Sequence, residues 1–168
     1  MNRFAEFIDW LNATIAQGVR WLALMMVITT LVIVIMRYLF EVGAIGLQES
    51  VMYMHGALFL LAIAYGIKQD THVRVDLVYS RFSQTRRDWV NLIGHILFLL
   101  PVAILLLVTS VPYVMASWRV LEGSAEVGGI PAIFLLKTLL PVMASLLLLQ
   151  GLSQCCKTIR TLHSRAQV

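Results

Sequence analysis

The chain has 168 residues, of which 60% are hydrophobic and only 13% charged, with a formal net charge of +4. Soluble domains ordinarily carry about a quarter of their residues as charges, so lipid is the expected solvent here. A nucleic-acid surface is excluded as the meaning of the basic excess, because no soluble basic domain is available to present one.

From Phe4 onward, Phe4, Phe7, Ile8, Leu11, Ile15 and Val19 form a helical stripe, with Arg3, Glu6, Asp9, Asn12 and Gln17 on the other side. The spacing predicts a helix over 3–20 lying in the membrane interface, with Trp10 and Trp21 at headgroup depth. A soluble amphipathic helix packed on a partner is the other reading. A first span follows at about 21–40 and is expected to stay in the mature protein, since Met36-Arg37-Tyr38 is no small-residue cleavage site. The short connection at 41–46 requires the next helix to be antiparallel and adjacent. The second span, about 47–68, opens near Glu49. That carboxylate suits either an ion pair with Arg37 or the helix N-terminal dipole. Gly56, Ala57, Ala62, Ala64 and Gly66 make this the helix expected to pack most tightly.

The polar stretch 68–77 precedes a short interfacial helix, with an apolar edge of Leu77, Val78 and Phe82, ending near Arg86-Arg87-Asp88. The third span, about 89–115, lies in an apolar run longer than a bilayer needs. Pro101 and Pro112 are expected to kink or end its helix. The third connection carries Arg119, Glu122, Glu126 and the Gly128-Gly129 pair. Lys137 opens the fourth span, about 132–153, where it should snorkel outward or meet Glu49, Glu122 or Glu126; snorkelling is the simpler outcome. A basic tail over 154–168 follows, beginning beside the interfacial thiols Cys155 and Cys156.

Arg3, Arg20, Lys68, Arg74, Arg81, Arg86, Arg87, Lys157, Arg160 and Arg165 fall on one side of these spans, and Arg37, Arg119 and Lys137 on the other. That is the positive-inside pattern for four spans with both termini in the cytoplasm. The fold expected is therefore an all-α integral membrane protein, a single domain of four transmembrane helices with two interfacial helices.

No glycine-rich phosphate loop, metal-spaced Cys/His cluster or nucleophile and base set is present, so neither an enzyme nor a bound cofactor or metal is expected. A haem-binding membrane anchor of a redox complex would need His55 and His95 as axial ligands. Their depths differ by roughly 9 Å if both helices are straight. A small self-sufficient exporter would need a carboxylate deep in the membrane, and all acids here sit at span ends or in connections.

Met36-Arg37-Tyr38-Leu39-Phe40 closing the first span, Glu49 opening the second, His72-Val73-Arg74-Val75-Asp76 in the second connection and Gly129-Ile130-Pro131 before the fourth resemble the small membrane subunit of tripartite ATP-independent periplasmic (TRAP) transporters. The resemblance runs from about Arg20 to Leu152, with the His-Val-Arg-Val-Asp element its most specific part. Many members carry a tryptophan and paired acids where this chain has Gly46-Leu47-Gln48-Glu49-Ser50. The resemblance implies a bacterial inner-membrane system for organic anions, in which a periplasmic binding protein captures the solute and a large membrane subunit moves it with a sodium gradient. This chain would then brace the scaffold of the large subunit, among membrane lipids. Arg37, Glu49, His72, Arg74, Asp76 and Lys137 are the expected structural and subunit contacts; Glu41, Arg119, Glu122 and Glu126 are the candidates for meeting the binding protein.

Overall fold

A computed structural model describes residues 2–69 and 82–166 of the chain. Among them run α1 (Asn2–Leu39), α2 (Ile45–Lys68), α3 (Gln84–Gly94), a π-helical turn (His95–Leu99), α4 (Leu100–Arg119) and α5 (Ile133–Ala166), with no strand. Four helical stretches are long and apolar enough to cross a membrane: Arg3–Leu39, Ile45–Lys68, Gln84–Arg119 and Ile133–Arg165.

No break separates the expected interfacial segment 3–20 from the first span, and α1 is one helix of 38 residues. At 1.5 Å per residue that is roughly 57 Å, nearly twice a hydrocarbon core. The last helix is likewise continuous through the expected tail as far as Ala166. The end of the molecule that carries the termini thus extends as helix well beyond the length of a span. Of the interfacial helix expected after the second span, residues 70–81 lie outside the described residues. Arg86-Arg87-Asp88 belong instead to the first turns of α3.

Proline shapes the third span without ending it. The amide of Leu100 donates to the carbonyl of His95, which is the wide π spacing. Pro101 follows directly; it has no N–H to give, and its ring would strike the carbonyl four residues back in a regular helix. The widened turn immediately before it relieves that conflict. Pro112 lies inside α4, which continues to Arg119.

The hub is α5, which packs against α1 and α2 on one side and against α3, the π turn and α4 on the other, whereas α4 makes no comparable contact with α1 or α2. Met143, Leu146 and Leu147 of α5 join Ala64 and Ala103 in the core, with Leu11, Ile15, Leu60 and Leu99 against them. The expectation that α2 would be the most tightly packed helix is therefore corrected. Only Ala64 of α2 is fully enclosed, whereas Met143, Ala144, Leu146, Leu147, Gln150, Ser153 and Cys155 of α5 are buried. Small residues on α2 do permit close approach, since a Cβ on Gly56 would lie 2.8 Å from Leu136 of α5. The number of neighbouring helices, and not small-residue content, decides burial. On α4, Ala103, Ser110 and Ser117 recur every seven residues on the face turned to α5. Large apolar residues such as Leu24, Val27 and Leu31 of α1, Leu97 and Phe98 of the π turn and Val108 of α4 face outward, where lipid is their natural solvent.

Candidate functional site

Two polar assemblies lie at opposite ends of the bundle. At the loop end, the 120–132 connection is bound to the helices by two carboxylates. Glu49, in the first turns of α2, accepts the backbone N–H of Ile130 at 2.6 Å and the hydroxyl of Ser124. The Ser124 hydroxyl oxygen in turn accepts the N–H of Glu126 at 3.0 Å, and the N–H of Gly129 donates to the carbonyl of Glu126 at 3.0 Å. A Cβ on Gly129 would collide with the Ser124 side chain and sit 2.7 Å from the Glu49 carboxylate, so glycine is required for this approach.

The second carboxylate is Glu122. Lys137 pairs with its Oε2 at 2.5 Å, and the Ser117 hydroxyl donates to the same oxygen at 2.6 Å. These two hydrogen bonds, that from Lys137 above all, hold the Glu122 carboxyl below its ordinary range. The ammonium also lies 4.3 Å from the Tyr113 ring centroid, a cation–π contact. One turn further along α4, the Trp118 indole donates to the Thr138 hydroxyl at 2.9 Å.

At the terminal end, α1 meets α5 through a buried amide pair. Asn12 Nδ2 donates to Gln150 Oε1 at 2.7 Å, and Gln150 Nε2 donates to Asp9 Oδ1 at 3.1 Å. Lys157 pairs with the other Asp9 oxygen, and Lys68 from α2 donates to the Asp9 backbone carbonyl at 3.3 Å. The Ser153 hydroxyl reaches the Ala5 carbonyl at 3.4 Å. A separate pair, Arg165 to Asp88 at 2.5 Å, fastens the end of α5 to α3.

Of the residues singled out from the sequence, Glu49, Glu122 and Lys137 are brought together around the 120–132 loop. Lys137 meets Glu122 and does not simply snorkel outward, because the loop returns the acid over it. Arg37 is exposed and forms no ion pair with Glu49; the carboxylate is taken up by the loop. Glu41, Arg119 and Glu126 are exposed at the same end. His72, Arg74 and Asp76 lie outside the described residues. Sequence reasoning placed Asp9 and Asn12 on a solvated face and passed over Gln150 and Ser153, all of which line the α1–α5 contact. The available signal was Gln150 itself, an amide within an apolar run, which in lipid seeks a partner on another helix. His55 lies on α2, exposed and stacked on Phe59, and His95 lies at the start of the π turn.

The model of the family described as tripartite ATP-independent periplasmic transporters, DctQ component, matches residues 25–161. The chain belongs to this family. It is thus a small component of a TRAP transporter, a part of a transport system and not an enzyme. With four helices of spanning length, this DctQ component is a multi-pass inner-membrane protein. Comparison with curated proteins and with solved structures gives no match. The loop-end assembly falls wholly within the matched stretch, whereas Asp9 and Asn12 precede it.

Proposed function

We propose that this DctQ component is the non-catalytic brace of a sodium-driven, binding-protein-dependent uptake system for an organic anion. Its termini lie in the cytoplasm, and its partners are a large transport subunit and a periplasmic binding protein. The family match over residues 25–161 carries the reading. The chain's own charges support it: Asp9, Asp88 and Glu122 are each tied to a cation and Glu49 to the loop, which leaves none of them poised to carry a coupling ion. The basic clusters at the terminal end support the orientation. Membrane-facing surfaces of α1 and α4 leave ample apolar area for a scaffold to pack against. Arg37, His72, Arg74 and Asp76 are proposed contacts to the large subunit, and Glu49 and Lys137 act within the chain to shape the loop end.

Co-purification from native membranes tests this. A large multi-span partner should accompany the chain, and reconstituted uptake should require that partner, the binding protein and sodium. Solute uptake by this chain alone in vesicles would overturn the proposal.

A further inference from the structure

An arginine lies on the outside of α1 at a depth where lipid tails are expected. The depth scale comes from α5, which carries no charge between Lys137 near the loop end and Lys157 at the terminal end. Those twenty residues of helix measure about 30 Å, one hydrocarbon core. Lys157 pairs with Asp9, and Lys68 from the end of α2 reaches the Asp9 carbonyl at 3.3 Å, so Asp9 marks the same membrane edge on α1. From Asp9 to Arg37, α1 runs unbroken for twenty-eight residues, about 42 Å, and so crosses the core obliquely. Arg20, eleven residues along, is then roughly 12 Å inside that edge.

The Arg20 side chain is exposed and has no ion pair among the described residues, and its guanidinium lies 5.5 Å from the centroid of the Trp21 ring. An unpaired charge in hydrocarbon is costly. The surface around it is not hydrocarbon-like. From Trp10 to Trp21 the exposed residues of α1 are Trp10, Thr14, Gln17, Gly18, Arg20 and Trp21, none of them aliphatic. Beyond Trp21 the outward face includes Leu24, Met25, Val27, Ile28 and Leu31. Trp10 and Trp21 are 60% and 59% exposed, both suited to headgroup depth, yet eleven residues apart on one helix. A polar strip therefore leads from the membrane edge down to Arg20.

We propose that Gln17, Arg20 and Trp21 form a binding site for a phospholipid headgroup, drawn below the general membrane surface at the terminal end so that the bilayer is thinned beside α1. The guanidinium fork matches two phosphate oxygens, and the Trp21 ring supports the cation. A carboxylate on a partner helix would itself have to be desolvated at this depth, whereas a phosphate reaches the site along a strip that is already polar. The site belongs to this chain and does not rest on the uptake reading.

The test uses the full chain, with its large subunit where the two co-purify, delipidated in detergent and titrated with short-chain phosphatidylglycerol while bound lipid is counted by native mass spectrometry. Arg20→Leu should raise the half-saturating concentration about ten-fold, the scale of a lost charge-assisted bond. Arg20→Lys, which keeps the charge and loses the fork, should fall between the two. Equal lipid binding by wild type and Arg20→Leu would overturn the site. Displacement of the lipid by inorganic phosphate at equal concentration would assign the site to a free anion and overturn it as well. Loss of the large subunit in Arg20→Leu with the lipid count unchanged would give the guanidinium to a partner carboxylate, again against the proposal. Depth is read separately in nanodiscs from a fluorophore at Gly18→Cys, where a Cβ meets nothing within 4 Å. An aqueous quencher should reach it, and complete shielding would end the proposal.

Discussion

The two ends of this molecule solve the same problem, holding polar groups near a membrane, in different ways. At the terminal end the groups face inward between helices: Asn12 is 1% exposed, Gln150 and Ser153 are fully enclosed, and the bonds run across the α1–α5 contact. At the loop end the Glu49 carboxylate reaches from α2 to loop backbone, and the Glu122 carboxylate reaches from the loop back to Ser117 and Lys137, so that the two shape backbone that has no regular structure. The first arrangement holds helices to each other, and the second holds a surface in a fixed form. Loss of a terminal-end group should therefore destabilise the bundle, and loss of a loop-end group should disturb what the loop contacts.

The largest expected effect is at Gln150. In Gln150→Leu the Asn12 amide loses its acceptor while its own carbonyl oxygen is already without a partner. The cost should be about 1–3 kcal/mol, read as a lower thermal midpoint in detergent. Asn12→Leu combined with Gln150→Leu should recover much of that loss, because an apolar pair leaves less unsatisfied; a double variant no better than the single would refute the pairing. Next is Gly129→Ala, which forces the loop off Glu49. About 1 kcal/mol of destabilisation is expected, confined to faster amide exchange at 124–130 with α5 unaffected.

Glu122 should give a smaller change that depends on acidity. Its folded pKa is depressed below the unfolded value, so its stabilisation is complete at neutral pH and is lost as pH falls through the folded value. Glu122→Gln should flatten the acid side of the stability profile and leave the neutral midpoint little altered; parallel profiles for the two proteins would exclude the Lys137 pair as the cause. The smallest effect belongs to His55, exposed and stacked on Phe59. His55→Ala should move stability by less than about 0.5 kcal/mol and leave uptake intact.

The spans were legible because membrane thickness imposes length and apolarity on any helix that crosses, and the short 41–46 connection made α1 and α2 neighbours. Lys137 was legible as a lysine that must either snorkel or meet an acid; snorkelling was the simpler expectation, and the structure instead gives it Glu122, one of the three acids named for it. Which acid it meets depends on how the loop folds back, and periodicity carries no information on that. The face of α1 was misjudged at Asp9 and Asn12 because amphipathic reasoning assumes that polar means solvated. Within a membrane bundle, a polar side chain that finds another helix is as well satisfied as one that finds water. Leu121, just past the end of α4, was unreadable from its residue type, since leucine gives no hint of the left-handed backbone it adopts at φ 45°.

The central position of α5 has a consequence for biogenesis. It is translated after the other three spans described, yet each of them leans on it, and Asp9 and Asn12 are made more than a hundred residues before the side chains that satisfy them. Until the ribosome releases α5, the earlier spans wait in the translocon's surroundings with those groups lacking their α5 partners. A product stalled before Gln150 is then an orphan that quality-control proteases can distinguish from the finished chain.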